Sequence, residues 1–258
     1  YVIDQFLAKG SFRPLYNRDG TINKENCSLY CRPDQIAECA YSFEIAGTVT
    51  EEAAKESCLK KGTPVIVGTG DSTAEAISVG LVESGTVFFQ YGSSMFYYYC
   101  VDRYVDDYVS ANGNGYLKGG KEFTIPGTFC IGDGTNAAGT LTRWVRDTFY
   151  EEELKKERAG GENAYAVMAR EAAEVEAGSE GLIILPYIYG ESSPIQDAKA
   201  SGMLFGLKGT HTRKQINRAA LEAVGYSTLQ HMILFDEMNL PPKSVITAGG
   251  GTKNAAWM

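Results

Sequence analysis

Three times along this chain an apolar run ends in a glycine-rich turn, and that repetition constrains the fold more than any other feature. Thr63-Pro64 leads through Val65-Ile66-Val67 into Gly68-Thr69-Gly70-Asp71. Thr86 to Gln90 ends at Tyr91-Gly92-Ser93-Ser94, and Ser244-Val245-Ile246-Thr247 ends at Gly249-Gly250-Gly251. An apolar run, a tight turn and a helix start read as a buried strand feeding a helix, the repeating unit of α/β sheets. Turns without side chains let backbone N–H groups approach an anion, and a helix N-terminus adds a favourable partial charge. Set at neighbouring strand ends, such loops would line one nucleotide-sized cleft. Singly, each is also an ordinary tight connection. The 29 glycines against 8 prolines fit a chain that needs many such turns.

The remaining elements follow from caps and periodicity. Thr50 caps a short helix with Glu51 and Glu52 in its first turn, ending at Gly62. Met95 to Cys100 is a further β-rich run, residues 101 to 120 form a polar loop, and Gly132-Asp133-Gly134-Thr135-Asn136 is expected to open a helix through Leu141, Trp144 and Val145. Glu151 to Ala177 is helical and charged, broken at Gly160-Gly161, and forms a solvent-facing layer. Thr212 and Gln215 make a capping box for a helix that continues through Gly225 to about Phe235. Residues 1 to 45 are irregular and read as a connecting segment. The chain begins at Tyr1 and ends at Met258 inside an apparent helix, so a piece of a longer protein is expected.

Composition narrows the function. With 24 basic and 32 acidic residues, a net charge of -8 and no basic block, nucleic acid is not an expected partner. No apolar run approaches the roughly 20 residues of a membrane helix and the N-terminus has no signal-peptide pattern, so a soluble, cytoplasmic protein without a membrane partner is expected. Six cysteines are too few to staple a chain this long. Cys27 and Cys31 have no second close pair, and His211 and His231 lie far downstream, which disfavours a zinc site and a histidine-based triad. The pattern GxxxxGK[ST] is absent, and Gly68-Thr69-Gly70-Asp71-Ser72-Thr73 fails GxGxxG at its last position.

Asp71 is the candidate catalytic carboxylate, because strand-end loops place reacting groups in α/β sheets. An aspartate facing a nucleotide cleft could take the proton from a hydroxyl that attacks a γ-phosphate; as a bland alternative it caps the helix starting near Ser72. Glu191, in Gly190-Glu191-Ser192-Ser193-Pro194, reads as a loop-fixing acid. Tyr97 to Tyr99 could stack sugars, although alternating aromatics on a strand usually pack a core.

At these residues the chain resembles the C-terminal half of the FGGY carbohydrate kinases, from about Glu44 to Met258. Gly202-Met203-Leu204-Phe205-Gly206-Leu207 followed by Gln215-Ile216-Asn217-Arg218-Ala219-Ala220-Leu221-Glu222 fits the family's C-terminal signature. Leu185-Pro186-Tyr187 with Gly190-Glu191, Gly62-Thr63-Pro64-Val65 and the terminal glycine triplet before Trp257 join it. The resemblance implies Asp71 as catalytic base, and Gly92-Ser93-Ser94 as the loop meeting the ATP phosphates. Gly139 and Arg143 fall on a nucleotide-contacting stretch, and Gly250, Gly251 and Asn254 on the adenosine motif. Ser93 replaces the more usual threonine and keeps the hydroxyl; Ser192 replaces an arginine common after Gly-Glu, so no ion pair is assumed there.

The implied fold is an α/β, actin-like ATPase (ribonuclease H-like) domain, a mixed sheet flanked by helices, over residues 46 to 258. The implied activity is transfer of the ATP γ-phosphate to a sugar hydroxyl, with Mg as the accompanying ion and no metal-ligating residue assigned in this chain. Phe123-Thr124-Ile125-Pro126-Gly127-Thr128 and Tyr189-Gly190-Glu191 look most like the xylulose-kinase branch, which points to a pentulose. The other phosphate loop, an Mg-associated aspartate and most of the sugar site are expected in a preceding domain, so this piece alone is expected to be inactive. The assembly is left open, with a homodimer among the expectations. Two rival readings are a non-catalytic actin-like nucleotide-binding or interaction module and a glycan-binding module built on Tyr97 to Tyr99.

Overall fold

The computed structural model describes residues 1 to 258. In chain order the elements are β1 (Val2–Asp4), α1 (Gln5–Gly10), α2 (Lys24–Cys27), β2 (Glu38–Ala40), β3 (Ile45–Thr48), α3 (Glu51–Ser57), β4 (Pro64–Ile66) and α4 (Asp71–Ser78). There follow β5 (Thr86–Tyr91), β6 (Met95–Val101), β7 (Tyr108–Val109), β8 (Tyr116–Leu117), β9 (Lys121–Glu122) and β10 (Phe129–Thr135). The last part holds α5 (Gly139–Phe149), α6 (Glu151–Arg158), α7 (Ala164–Ala173), β11 (Ile183–Leu185), β12 (Met203–Phe205), α8 (Arg213–Glu237) and β13 (Ser244–Ala248). The chain packs as two units: Tyr1–Ser84 with Cys100–Val105 and Gly120–Ile131, and Gly85–Tyr99 with Asp106–Gly119 and Gly132–Met258.

In the first unit, residues 1 to 45 hold more regular structure than their irregular sequence implies: β1 pairs in parallel with β2, Val2 opposite Glu38 and Asp4 opposite Ala40. Strands this short form because tertiary partners hold them. The Tyr16 hydroxyl donates to the Ala37 carbonyl at 2.8 Å, and Phe6 meets Phe123 edge-on at 5.4 Å. Thr50 caps α3 as expected, its Oγ1 accepting from the Ala53 N–H. β4 differs from its reading as a buried strand. It pairs only with β3 in a two-stranded ribbon, and Val65 and Ile66 are exposed.

In the second unit β5 lies between β13 and β6. It runs parallel to β13, Ser244 opposite Thr86 and Ala248 opposite Gln90, and antiparallel to β6, Val87 opposite Tyr99 and Tyr91 opposite Met95. The sheet is therefore mixed, and Val87, Phe88 and Phe89 are buried on both its faces. Along β6 the side chains of Met95, Tyr97 and Tyr99 turn inward, and Tyr97 and Tyr99 pack on Phe235 of α8 with ring centroids 5.4 and 4.8 Å apart. The glycines Gly132 to Gly134, expected to open a helix, instead lie in β10, and α5 starts at Gly139. A side chain at Gly134 would run into the Met95 carbonyl, so glycine is what lets the two strands approach. The helices lie as the periodicity predicts: α6 and α7 separated at Gly160-Gly161, and α8 continuous through Gly225. No helix is long and apolar enough to cross a membrane.

Candidate active site

A cavity of about 600 Å³ opens in the second unit where β5 and β13 end. Its wall is assembled from five places: Gly92 and Ser93 after β5; Gly139, Thr142 and Arg143 on α5; the face of α7 from Tyr165 to Ala169; Asn217 and Leu221 on α8; and Gly250, Gly251, Asn254 and Trp257 after β13. The glycines are there because backbones touch. The Gly139 N–H donates to the Gly92 carbonyl at 2.9 Å, and a Cβ at Gly139 would stand 2.5 Å from that oxygen. The Ser93 carbonyl accepts from the Ala138 and Thr140 N–H groups, tying the loop after β5 to the start of α5. Gly249 has φ +96°, where a Cβ would meet the Tyr91 carbonyl at 2.5 Å, and a Cβ at Gly251 would press on Tyr91 and Trp257.

The chemistry of the wall is one-sided. Arg143 and Lys253 contribute positive charge, no carboxylate lines the cavity, and Met168, Ala169, Leu221, Tyr91 and Trp257 give an apolar floor. The indole Nε1 of Trp257 is buried without a hydrogen-bond partner, an orphaned donor beside the open space. Beyond Gly250 lies room that a side chain would occupy. A flat heteroaromatic base with an anionic tail matches this wall in shape and charge.

Of the nine residues singled out in the sequence, the cavity wall gathers Gly92, Ser93, Gly139, Arg143, Gly250, Gly251 and Asn254. Ser94 is exposed beside it and does not line it. Asp71 belongs to the first unit, where it is the first residue of α4 and exposed, with Oδ1 accepting from the Ser72 N–H at 2.7 Å. The loop before it is anchored by Asp4: one Asp4 carboxylate oxygen accepts from the Thr69 hydroxyl at 2.8 Å, the other from that of Thr124 at 3.3 Å. Burial pushes the Asp4 carboxyl above its usual pKa, with these hydrogen bonds opposing. Sequence reading missed Asp4, because its partners lie 65 and 120 residues away. It also missed Tyr165, Asn163 and Lys253, which carry no motif.

Glu191 fixes a loop. Its Oε1 accepts from the N–H groups of Asn136 and Ser192 at 2.9 and 2.8 Å, its Oε2 is buried without a partner, and burial raises its pKa. Two residues on, the Ser193 hydroxyl donates to Nε2 of His231 at 3.0 Å, while His231 Nδ1–H donates to the Ser227 carbonyl at 2.8 Å. Burial lowers the His231 pKa to about 4, so the ring is neutral near pH 7 and its Nε2 accepts from the hydroxyl. The tyrosines of β6 divide between the two sides of the strand, Tyr97 and Tyr99 being buried, so they form no continuous sugar-stacking face.

A model of the FGGY family of carbohydrate kinases, C-terminal domain, matches residues 91 to 258. The chain belongs to the FGGY family of carbohydrate kinases. Among similar FGGY proteins, the gluconokinase of Bacillus subtilis is 27% identical over 263 residues, covering 100% of this chain and 49% of the relative. A xylulose kinase of Staphylococcus epidermidis is 29% identical over 217 residues, covering 84% of this chain and 40% of the relative. The crystal structure of the xylulose kinase from Rhodospirillum rubrum superposes with a TM-score of 0.80 at 28% identity, over 100% of this chain and 49% of that one. The chain thus has the actin-like fold of the FGGY sugar kinases, and it spans about half the length of the relatives it matches.

Proposed function

We propose that this chain is the C-terminal half of an ATP-dependent sugar kinase, with its nucleotide in the second-unit cavity and Asp71 as the base. The observation that carries the reading is the convergence of Gly92, Ser93, Gly139, Arg143, Gly250, Gly251 and Asn254 on one acid-free cavity. In that site the Trp257 indole N–H would find an acceptor, the apolar floor would take the base, and Arg143 and Lys253 would meet anionic oxygens. Bound there, ATP supplies the phosphoryl group. Asp71, exposed at the start of α4, would accept the proton of the attacking sugar hydroxyl, while Asp4 holds the preceding turn through Thr69.

The chain contains no group of three or more His, Cys, Asp or Glu side chains that could hold a metal. On the side of this chain an Mg²⁺ would be met by phosphate oxygens and water, with the Mg-associated aspartate expected in the preceding domain. A pentulose such as xylulose is the substrate we favour, because relatives named xylulose kinase recur among the matches and the Phe123–Thr128 and Tyr189–Glu191 phrases resemble that branch. The similarity to a gluconokinase over the whole chain puts gluconate on the same test panel.

The test is ADP release by the full-length protein against pentuloses, polyols and gluconate, with Asp71→Asn alongside. Turnover should fall by about 10³-fold or more in the variant while Mg-ADP affinity stays within about twofold. Turnover near the parent rate in Asp71→Asn removes the base assignment; absence of ADP release with every sugar favours the non-catalytic nucleotide-binding alternative.

A further inference from the structure

The first unit holds a second cavity, of about 410 Å³, with no role in the phosphoryl-transfer reading. Its wall carries Lys9, Arg13, Arg18 and Lys121 against one carboxylate, Glu122, in a chain whose net charge is -8. That carboxylate is already engaged, accepting from Lys9 Nζ at 2.6 Å and from the Tyr41 hydroxyl at 3.3 Å. Arg13 and Arg18 are exposed and form no ion pair. The Arg18 guanidinium sits over the Tyr104 ring at 5.5 Å, and Tyr104 meets Phe129 edge-on at 6.3 Å, so one side of the cavity is aromatic. Lys121 reaches its place across Gly10, where a Cβ would come within 2.8 Å of its Cδ and 2.9 Å of its Nζ.

Four cations drawn into one hollow repel one another, and a low-dielectric wall concentrates their field on the space between them. The volume falls within the range of small-molecule sites and is larger than a lone inorganic anion needs. The arginine fork matches phosphate oxygens bidentately, and the rings of Tyr104 and Phe129 offer a flat surface to a carbon skeleton. We propose that this cavity binds a small organic phosphate, a phosphate monoester held by Arg13, Arg18 and Lys121 with its carbon body against Tyr104 and Phe129. Asp71 does not line the cavity. The pocket is linked to the Asp71 loop through α1, which carries Lys9 at one end while Leu7 lies 3.2 Å from the position a Gly70 Cβ would take.

Calorimetric titration of the full chain with ribose 5-phosphate, and separately with ribose, tests the site. Ribose 5-phosphate should bind with a dissociation constant below about 1 mM and more weakly as salt is raised, and ribose should give no heat. The double variant Arg13→Gln/Arg18→Gln, at exposed positions and checked for an unchanged melting temperature, should lower the affinity at least about tenfold. Arg143→Gln, in the other cavity, should leave it unchanged. No binding up to about 10 mM, equal affinity in the double variant, or loss of binding in Arg143→Gln would overturn the proposal.

Discussion

At the scale of single residues, backbone contact explains the glycines of the cavity beyond β5 and β13 better than flexibility does. Gly139 packs its Cα against the Gly92 carbonyl, so Gly139→Ala must push the loop after β5 away from α5. The variant should lose about 1–3 kcal/mol of stability, read by urea unfolding, and should bind Mg-ADP more weakly. His231 supplies a pH signature of opposite origin to that of a salt bridge. Its ring is neutral when folded, with a pKa of about 4 against 6.5 for an unburied histidine, so the unfolded chain binds more protons between those values. Stability is therefore complete above about pH 6.5 and falls as pH drops toward 4, by on the order of 3 kcal/mol from this group. Asp4 and Glu191, whose pKa values are raised by burial, pull the other way, so the measurement is the difference between the parent and His231→Gln. That difference should shrink as pH is lowered from 6.5 to 4; a constant difference would mean that folding leaves the protonation equilibrium of the ring unchanged.

At the scale of elements, the wall formed by α7 is held in place by Arg213 at the start of α8. Its guanidinium donates to Glu171 of α7 at 2.6 Å and to Glu153 of α6 at 3.1 Å, and lies 4.2 Å from the centre of the Tyr150 ring. The two carboxylates beside it push the Arg213 pKa up, and Glu153 in return is held below its usual range by the arginine. A lysine keeps the charge but cannot reach both carboxylates and the ring together. Arg213→Lys should therefore cost about 1–3 kcal/mol in denaturant unfolding and raise the Kd for Mg-ADP, since Tyr165, Met168 and Ala169 ride on the same helix. α7 and α8 were readable from their caps and spacing. Their union through Arg213 was not, because the partners stand 42 and 60 residues apart.

At the scale of the whole molecule, a ligand that binds only the folded chain stabilises it by mass action. Mg-ADP at about 100 times its Kd should add about 2.7 kcal/mol and raise the melting temperature, and Arg143→Gln should reduce that rise. No thermal response to Mg-ADP would count against the nucleotide cavity.

The sequence by itself determined the strand and glycine-turn pattern, most of the helices from Glu51 onward, the family, and seven of the residues that line one cavity. Each of those is written locally, in the period of apolar residues and in the turn chemistry that glycine alone permits. Tertiary structure decided what depends on distant partners. It turned Gly132 to Gly134 into the end of a strand, because the Met95 backbone lies against them. It left Val65 and Ile66 exposed, because their only ladder partner is β3. It also gathered Lys9, Arg13, Arg18 and Lys121 around one hollow, an arrangement invisible in a chain with a net negative charge. Sequence spacing carries no information about which charges meet in space once more than a hundred residues separate them.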